Sequence, residues 1–315
     1  MNSSLLWIPK RLVEIGLLNV AARVPDDFIR YCEADYRARV ETAVRRIVES
    51  RAHVVMLTGP SSSGKTTTAH KIAAELRVRG VSSAVVSLDN FYKDLQDYPR
   101  LPNGQPDYES VDALDVEGIN RCLLELIRTG KTQVPDFDFS REVRRQGTIP
   151  LEVGRNGVAV VEGIHALNPR LTALLPRGSV YRVYAGMREE YSCQGRRVLP
   201  TRDVRLARRM VRDYQFRGHS PEKTLSMWPA VCEGEDRYIK VFKPEADLLL
   251  DTSFSYEICC LAPMVEQMAA LVPEESHWHS RMARLSGLFA QCEPISRERV
   301  PADSMLREFL GSDPQ

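Results

Sequence analysis

Along most of the chain, short apolar runs alternate with longer stretches of helical period, and that order predicts an α/β fold. Runs dominated by apolar residues at 54–57, 83–88, 157–161, 180–184 and 246–250 have the length and bounding turns of strands buried on both faces of a parallel sheet. Stretches 66–79, 114–128, 201–218 and 256–272 repeat their apolar positions at helical spacing. Upstream, Phe28, Ile29, Cys32, Tyr36, Val40, Ala43, Val44 and Ile47 share one helical face, with Asp26 placed to cap its start. Residues 1–25 give no clear pattern. Residues 98–112, rich in Pro, Asn, Gly and Asp, predict an irregular excursion, and Pro273, Pro294 and Pro301 divide the last part into helical pieces. The expectation is a parallel sheet of about five strands flanked by helices at 51–260, with helical extensions at 1–50 and 261–315.

Composition narrows the class. In 315 residues, Lys+Arg 43 against Asp+Glu 42 leaves a net charge of +1, so no global field argues for nucleic acid or an acidic membrane. No apolar run is long enough to span a bilayer, and the N-terminus lacks a small-residue cleavage pattern, so the expected location is cytoplasmic. Seven scattered cysteines without C-x-x-C spacing read as reduced thiols, and the six histidines complete no zinc set.

The chemistry is concentrated after the first predicted strand. Gly59, Gly64, Lys65 and Thr66 satisfy G-x-x-x-x-G-K-[ST] between a strand and a helix, the context in which that motif holds a nucleoside triphosphate. Small residues, here Ser61, Ser62 and Ser63, let backbone N–H groups turn inward around phosphate oxygens, and the helix dipole, through its first turn with Thr67, points the same way. Lys65 adds a mobile cation and Thr66 a hydroxyl for Mg²⁺. A partial copy, Gly130-Lys131-Thr132, has Glu125 in place of the first glycine and reads as a helix end and turn.

Two acids stand at carboxyl ends of predicted strands, where open parallel sheets place their ligands. Asp89, followed by Tyr92, could take a proton from a hydroxyl or hold Mg²⁺ through water; a plain turn is the simpler reading. Glu162 stands where a metal-associated carboxylate belongs. His165 reads as a packed histidine. The run from Val134 to Phe139, with Arg141, Arg144 and Arg145 after it, is either an edge strand with a basic end or a wall for a planar or polyhydroxyl acceptor. On a wheel of 201–218, Arg202, Arg205, Arg208, Arg209 and Arg212 oppose Leu206, Met210, Val211 and Tyr214. That arginine face can be solvated, can bind RNA, or can close over triphosphate as a lid. Beside a phosphate loop the lid is favoured.

Taken in order, GPSSSGKTTT, SLDNFYKD, PDYESVDALD, VPDFDF, VVEGIHALN and DVRLARRMVRDYQFRG resemble the uridine kinase and phosphoribulokinase family of P-loop kinases over roughly residues 50 to 260. FRGHSPEKTLSMWPAVCEGEDRYI and SMLREFLG resemble a bacterial uridine kinase-like branch with extra terminal segments. The resemblance implies ATP-dependent, Mg²⁺-assisted phosphorylation of a nucleoside 5′-hydroxyl. It implies that Gly59, Gly64, Lys65 and Thr66 hold triphosphate and metal, that Glu162 orients the metal, and that Asp89 activates the hydroxyl. Arg205, Arg209, Arg212 and Arg217 match its lid arginines. The family pattern P-x-Y-D-F-x-x-H-x-R keeps its last arginine as Arg144, but Phe137 replaces the tyrosine, Glu142 the histidine, and Glu109 a sugar-binding aspartate. The implied partner is a small-molecule acceptor, uridine or cytidine first and another sugar or polyol second; homo-oligomers are compatible with it. A regulatory or RNA-binding protein is the reading from another class; the absence of an [NT]-K-x-D motif argues against a GTPase switch.

Overall fold

The computed structural model describes residues 9–138, 141 and 143–311. In chain order its elements are β1 (Arg11–Glu14), α1 (Ile15–Ala22), α2 (Pro25–Ser50), β2 (Val54–Thr58), α3 (Lys65–Val78), β3 (Ser83–Ser87), α4 (Val116–Thr129), β4 (Lys131–Asp138) and β5 (Val143–Glu152). There follow β6 (Val158–Glu162), β7 (Val180–Gly186), β8 (Glu189–Cys193), β9 (Arg196–Leu199), α5 (Thr201–Arg217), α6 (Pro221–Gly234), β10 (Leu248–Asp251), α7 (Glu257–Ala270), α8 (His279–Phe289) and α9 (Arg307–Leu310).

The five apolar runs form one parallel sheet in the order β10-β7-β2-β6-β3. Alternation along β2 divides the core: Val55 and Leu57 face α2, α3, α5 and α7, while Val54 and Met56 face α4. The central strands β2 and β6 are buried at every position, which is why they read as unbroken apolar runs. The phosphate loop and both strand-end acids therefore open at the same edge of the sheet.

Two expectations change. Asp26 does not cap α2; Val24 is the cap residue, Pro25 occupies the first turn, and Asp26 follows it. The N-terminal part is not wholly helical, because β1 pairs in parallel with β8, which also carries β9, in a small separate sheet. Residues 131–138 form one arm of a hairpin, β4 pairing antiparallel with β5, and the partial glycine-lysine copy is the expected helix end and turn, Gly130 ending α4 at φ 77 before the strand starts at Lys131.

Both chain ends share the main core. Tyr36 of α2 bonds Thr68 of α3 at 2.8 Å, and Phe289, Met305 and Phe309 belong to the same buried cluster as Leu57 and Ile72. Tyr256 donates to Glu33 at 2.6 Å and lies 3.3 Å from the Ser304 hydroxyl, joining α2, α7 and the C-terminal segment. Among the described residues no helix is long and apolar enough to cross a membrane.

Candidate active site

β2 delivers the chain into the loop 59–64 and α3 begins at Lys65. Close approach explains the first glycine: a Cβ at Gly59 would run into the Ala185 carbonyl and the Ser63 hydroxyl. Ser62 sits at φ 59 and Gly64 at φ 78, the left-handed geometry that turns successive N–H groups to one side. The hydroxyls of Ser62 and Ser63 are buried without a hydrogen-bond partner. Such orphaned donors suit an anion, and phosphate oxygens would satisfy them.

Glu162, 4 % exposed at the end of β6, accepts from the Thr66 hydroxyl at 3.2 Å and from Ser87 at 2.9 Å. These hard oxygen donors beside a phosphate loop fit Mg²⁺, which binds through few protein ligands plus phosphate and water. Asp89 follows β3 in a 3-10 turn capped by Ser87. Burial first, and then the Glu162 charge, push its pKa up to about 6 against the opposing pull of Lys65 and Arg217. Asp89, Glu162, Lys65 and Arg217 thus share one electrostatic neighbourhood.

The residues expected to face an acceptor are largely aromatic. Tyr92 stacks on Tyr98 at 5.8 Å, Tyr98 meets Tyr108 edge-on at 5.4 Å, and Phe137 on the hairpin arm lies 5.9 Å from Tyr92. Arg144 donates to the carbonyls of Tyr92 at 2.9 Å and Phe91 at 3.2 Å, and to Asp115 at 3.3 Å, so it fixes the backbone that carries Tyr92. Glu109 is pushed upward in pKa, by burial first, and feels the charges of Arg209, Glu235 and Lys65. Glu142 lies outside the described residues. His165 is 1 % exposed, and burial drives its pKa down to about 4, leaving a neutral packed imidazole against Tyr238.

The arginine face of α5 is not solvated. Arg208 is 0 % exposed, and both faces of the helix centre are buried. The phosphate loop itself covers part of the arginine face: Arg205 donates to the Ser61 carbonyl at 2.8 Å, Arg209 to the Ser61 hydroxyl at 2.8 Å and Arg208 to the Ser62 carbonyl at 3.3 Å. Asp213 gathers the others, at 3.2 Å from Arg209, 2.8 Å from Arg212 and 3.4 Å from Arg217. Tyr214, assigned to the apolar side by the wheel, is 43 % exposed.

Two contributors escaped the sequence reading. Glu235, 1 % exposed, accepts from the Ser61 N–H at 2.9 Å and pairs with Arg205. It starts a π-helical turn, Glu235–Ile239, that continues α6, a distortion frequent at functional sites. Its only signal was an acid inside the E-G-E-D-R-Y-I run. Met305 is the other: a Cβ on Gly64 would run into its sulfur, and Glu308 accepts from Thr67 at 2.6 Å.

The family model described as Phosphoribulokinase / Uridine kinase family matches residues 54–183 and 197–257, more than half of the chain. A uridine kinase of Macrococcus caseolyticus is 30% identical over 204 residues, 64% of this chain and 88% of that protein. A uridine kinase of Halobacterium salinarum is 25% identical over 226 residues, 71% of this chain and 90% of that protein. A solved structure described as a possible uridine kinase from Bacillus stearothermophilus aligns at 18% identity and a TM-score of 0.45, covering 69% of this chain and 100% of that one.

Proposed function

The chain belongs to the phosphoribulokinase and uridine kinase family of P-loop kinases, and from that membership we propose that it transfers the γ-phosphoryl of ATP to a nucleoside 5′-hydroxyl, uridine or cytidine, giving the monophosphate. The observation that carries this reading is the position of Asp89, half-buried beside Lys65 and Glu162 where the strand ends meet the phosphate loop. The acceptor hydroxyl gives its proton to the Asp89 carboxylate while its oxygen bonds to the γ-phosphorus, and the bond from that phosphorus to the β-bridging oxygen breaks to release ADP.

Mg²⁺, held from Thr66 and Glu162, neutralises charge on the phosphates when bound. Lys65 and the loop N–H groups of 62 and 64–66 hold the triphosphate in line, and Arg209, Arg212 and Arg217 add positive charge at the loop. Tyr92, Tyr98, Tyr108 and Phe137 offer flat apolar surface to a base or sugar, and Glu109 offers a carboxylate to hydroxyls. A second acceptor class, another sugar or polyol, is favoured by Phe137 and Glu142, which exchange a hydroxyl and an imidazole for groups of different hydrogen-bonding power.

ADP release from MgATP across nucleosides, ribulose 5-phosphate and other polyols separates these acceptors. Stimulation by uridine or cytidine above the polyols supports the first reading; stimulation by a sugar alone favours the second. Release that no acceptor stimulates overturns both.

A further inference from the structure

A cavity of about 320 Å³ lies at the carboxyl end of β7, lined by Tyr184, Gly186, Met187 and the start of α5 at Pro200 and Thr201. Lys10, Arg188, Arg197, Arg202, Lys240 and Lys243 contribute to its wall, and Arg205 makes a seventh base. Glu190 is the one acid among these described lining residues. It is already engaged, pairing with Lys10 at 2.5 Å and with Arg197 at 3.0 Å. From outside the wall Asp236 answers Arg202 at 3.2 Å and Lys240 at 2.5 Å. The N-terminus of α5, a helix of 17 residues, has no side-chain cap and adds its positive dipole end.

Positive groups gathered this tightly repel one another, and the three carboxylates of Glu190, Asp236 and Glu235 offset only part of the charge of the seven bases. Lys243 records the strain: burial first, then Arg188, Lys10 and Lys240, lower its pKa to about 8. Its ammonium lies 5.4 Å from the Tyr184 ring centroid. None of these bases except Arg205 has a place in the phosphoryl-transfer machinery, so the cluster is unexplained by the kinase reading.

We propose that this cavity, which borders the phosphate loop at Pro60, is a second anion site for a soluble small molecule bearing a di- or triphosphate. Its size excludes a bulky polymer segment, and the mixture of forked guanidiniums and ammoniums matches phosphate oxygens. Arg205 connects the two sites, since it lines the cavity and also donates to the Ser61 carbonyl and pairs with Glu235. Anion binding in the cavity is therefore coupled to nucleotide binding at the loop, and the coupling is reciprocal.

Inorganic pyrophosphate is the probe, titrated by calorimetry into the full chain without divalent metal. Wild type and Lys65→Ala, which cripples the phosphate loop, are expected to bind it in the cavity with affinities within about twofold of each other, whereas Arg197→Gln with Lys240→Gln weakens cavity binding about tenfold or more, the loss expected for charge-assisted contacts. Arg197 and Lys240 are 59% and 37% exposed at their side chains, so both variants fold; the more buried Lys243→Gln is the third arm. Loss of all binding in Lys65→Ala, or unchanged binding in both cavity variants, overturns the proposal. Binding to phosphatidylglycerol vesicles without binding to pyrophosphate overturns it in favour of a lipid headgroup.

Discussion

Arg205 holds Glu235 through two hydrogen bonds, 2.5 and 2.9 Å, with both side chains buried, while the same carboxylate takes the Ser61 N–H of the phosphate loop. A salt bridge thus braces the loop from the side of α5 and α6. Removing one partner strands a buried charge, so Glu235→Ala is expected to cost about 3–5 kcal/mol in urea unfolding. The paired replacement Arg205→Met with Glu235→Leu restores most of that stability but not turnover. Normal turnover in the paired variant would show that the brace is structural only.

Asp89 couples stability to pH with a definite sign. Its folded pKa, about 6, lies above the ordinary 3.8, so its proton stabilises the fold fully below pH 3.8, and that contribution is lost as pH rises through 6. Asp89→Asn is therefore expected to raise the apo melting temperature at pH 8, with the gain vanishing as pH falls from 6 toward 4. Turnover of the wild type should fall along the acid limb near pH 6, because a protonated base accepts nothing. An Asp89→Asn variant with wild-type turnover sinks the base assignment.

Glu162 and Thr66 share a hydrogen bond at 3.2 Å and are expected to share Mg²⁺. Glu162→Gln should raise the Mg²⁺ concentration for half-maximal activity roughly 10- to 100-fold, and Thr66→Ala by less. Titration of activity with Mg²⁺ at saturating acceptor checks both, and an unmoved midpoint in Glu162→Gln assigns that carboxylate to packing.

Met305 covers Gly64. Met305→Ala should cost about 2–5 kcal/mol as a core truncation and should also weaken ATP binding, since the loop loses its cover. Equilibrium binding of a fluorescent ATP analogue, measured under conditions where the variant is folded, separates the two effects. Unchanged affinity would make the C-terminal segment a passive support.

The parts of the fold with strong period were legible. The five strands of the main sheet were legible as short apolar runs, uniformly buried in β2, β6 and β10, and the buried face of α2 as a helical period. The small sheet β1-β8-β9 and strand β5 were not, because short exposed strands such as Arg11–Glu14 carry no alternation and are held by a distant partner. For the site, motif spacing located Lys65, Thr66, Asp89 and Glu162, each set by the end of a predicted strand or the start of a helix. The wheel of α5 grouped the arginines but misplaced the exposed Tyr214, and it could not tell a solvated arginine face from one packed on Ser61 and Ser62. Glu235 was invisible for the same reason: a carboxylate reveals its partner only when the fold closes.

The Thr67–Glu308 bond joins residues 241 positions apart. During synthesis the phosphate loop emerges long before the segment that covers it, and closing a chain loop of that length is an entropic delay that local helix formation does not share. Gly64 and Thr67 therefore gain their cover only once residues 304–310 have been made and have docked.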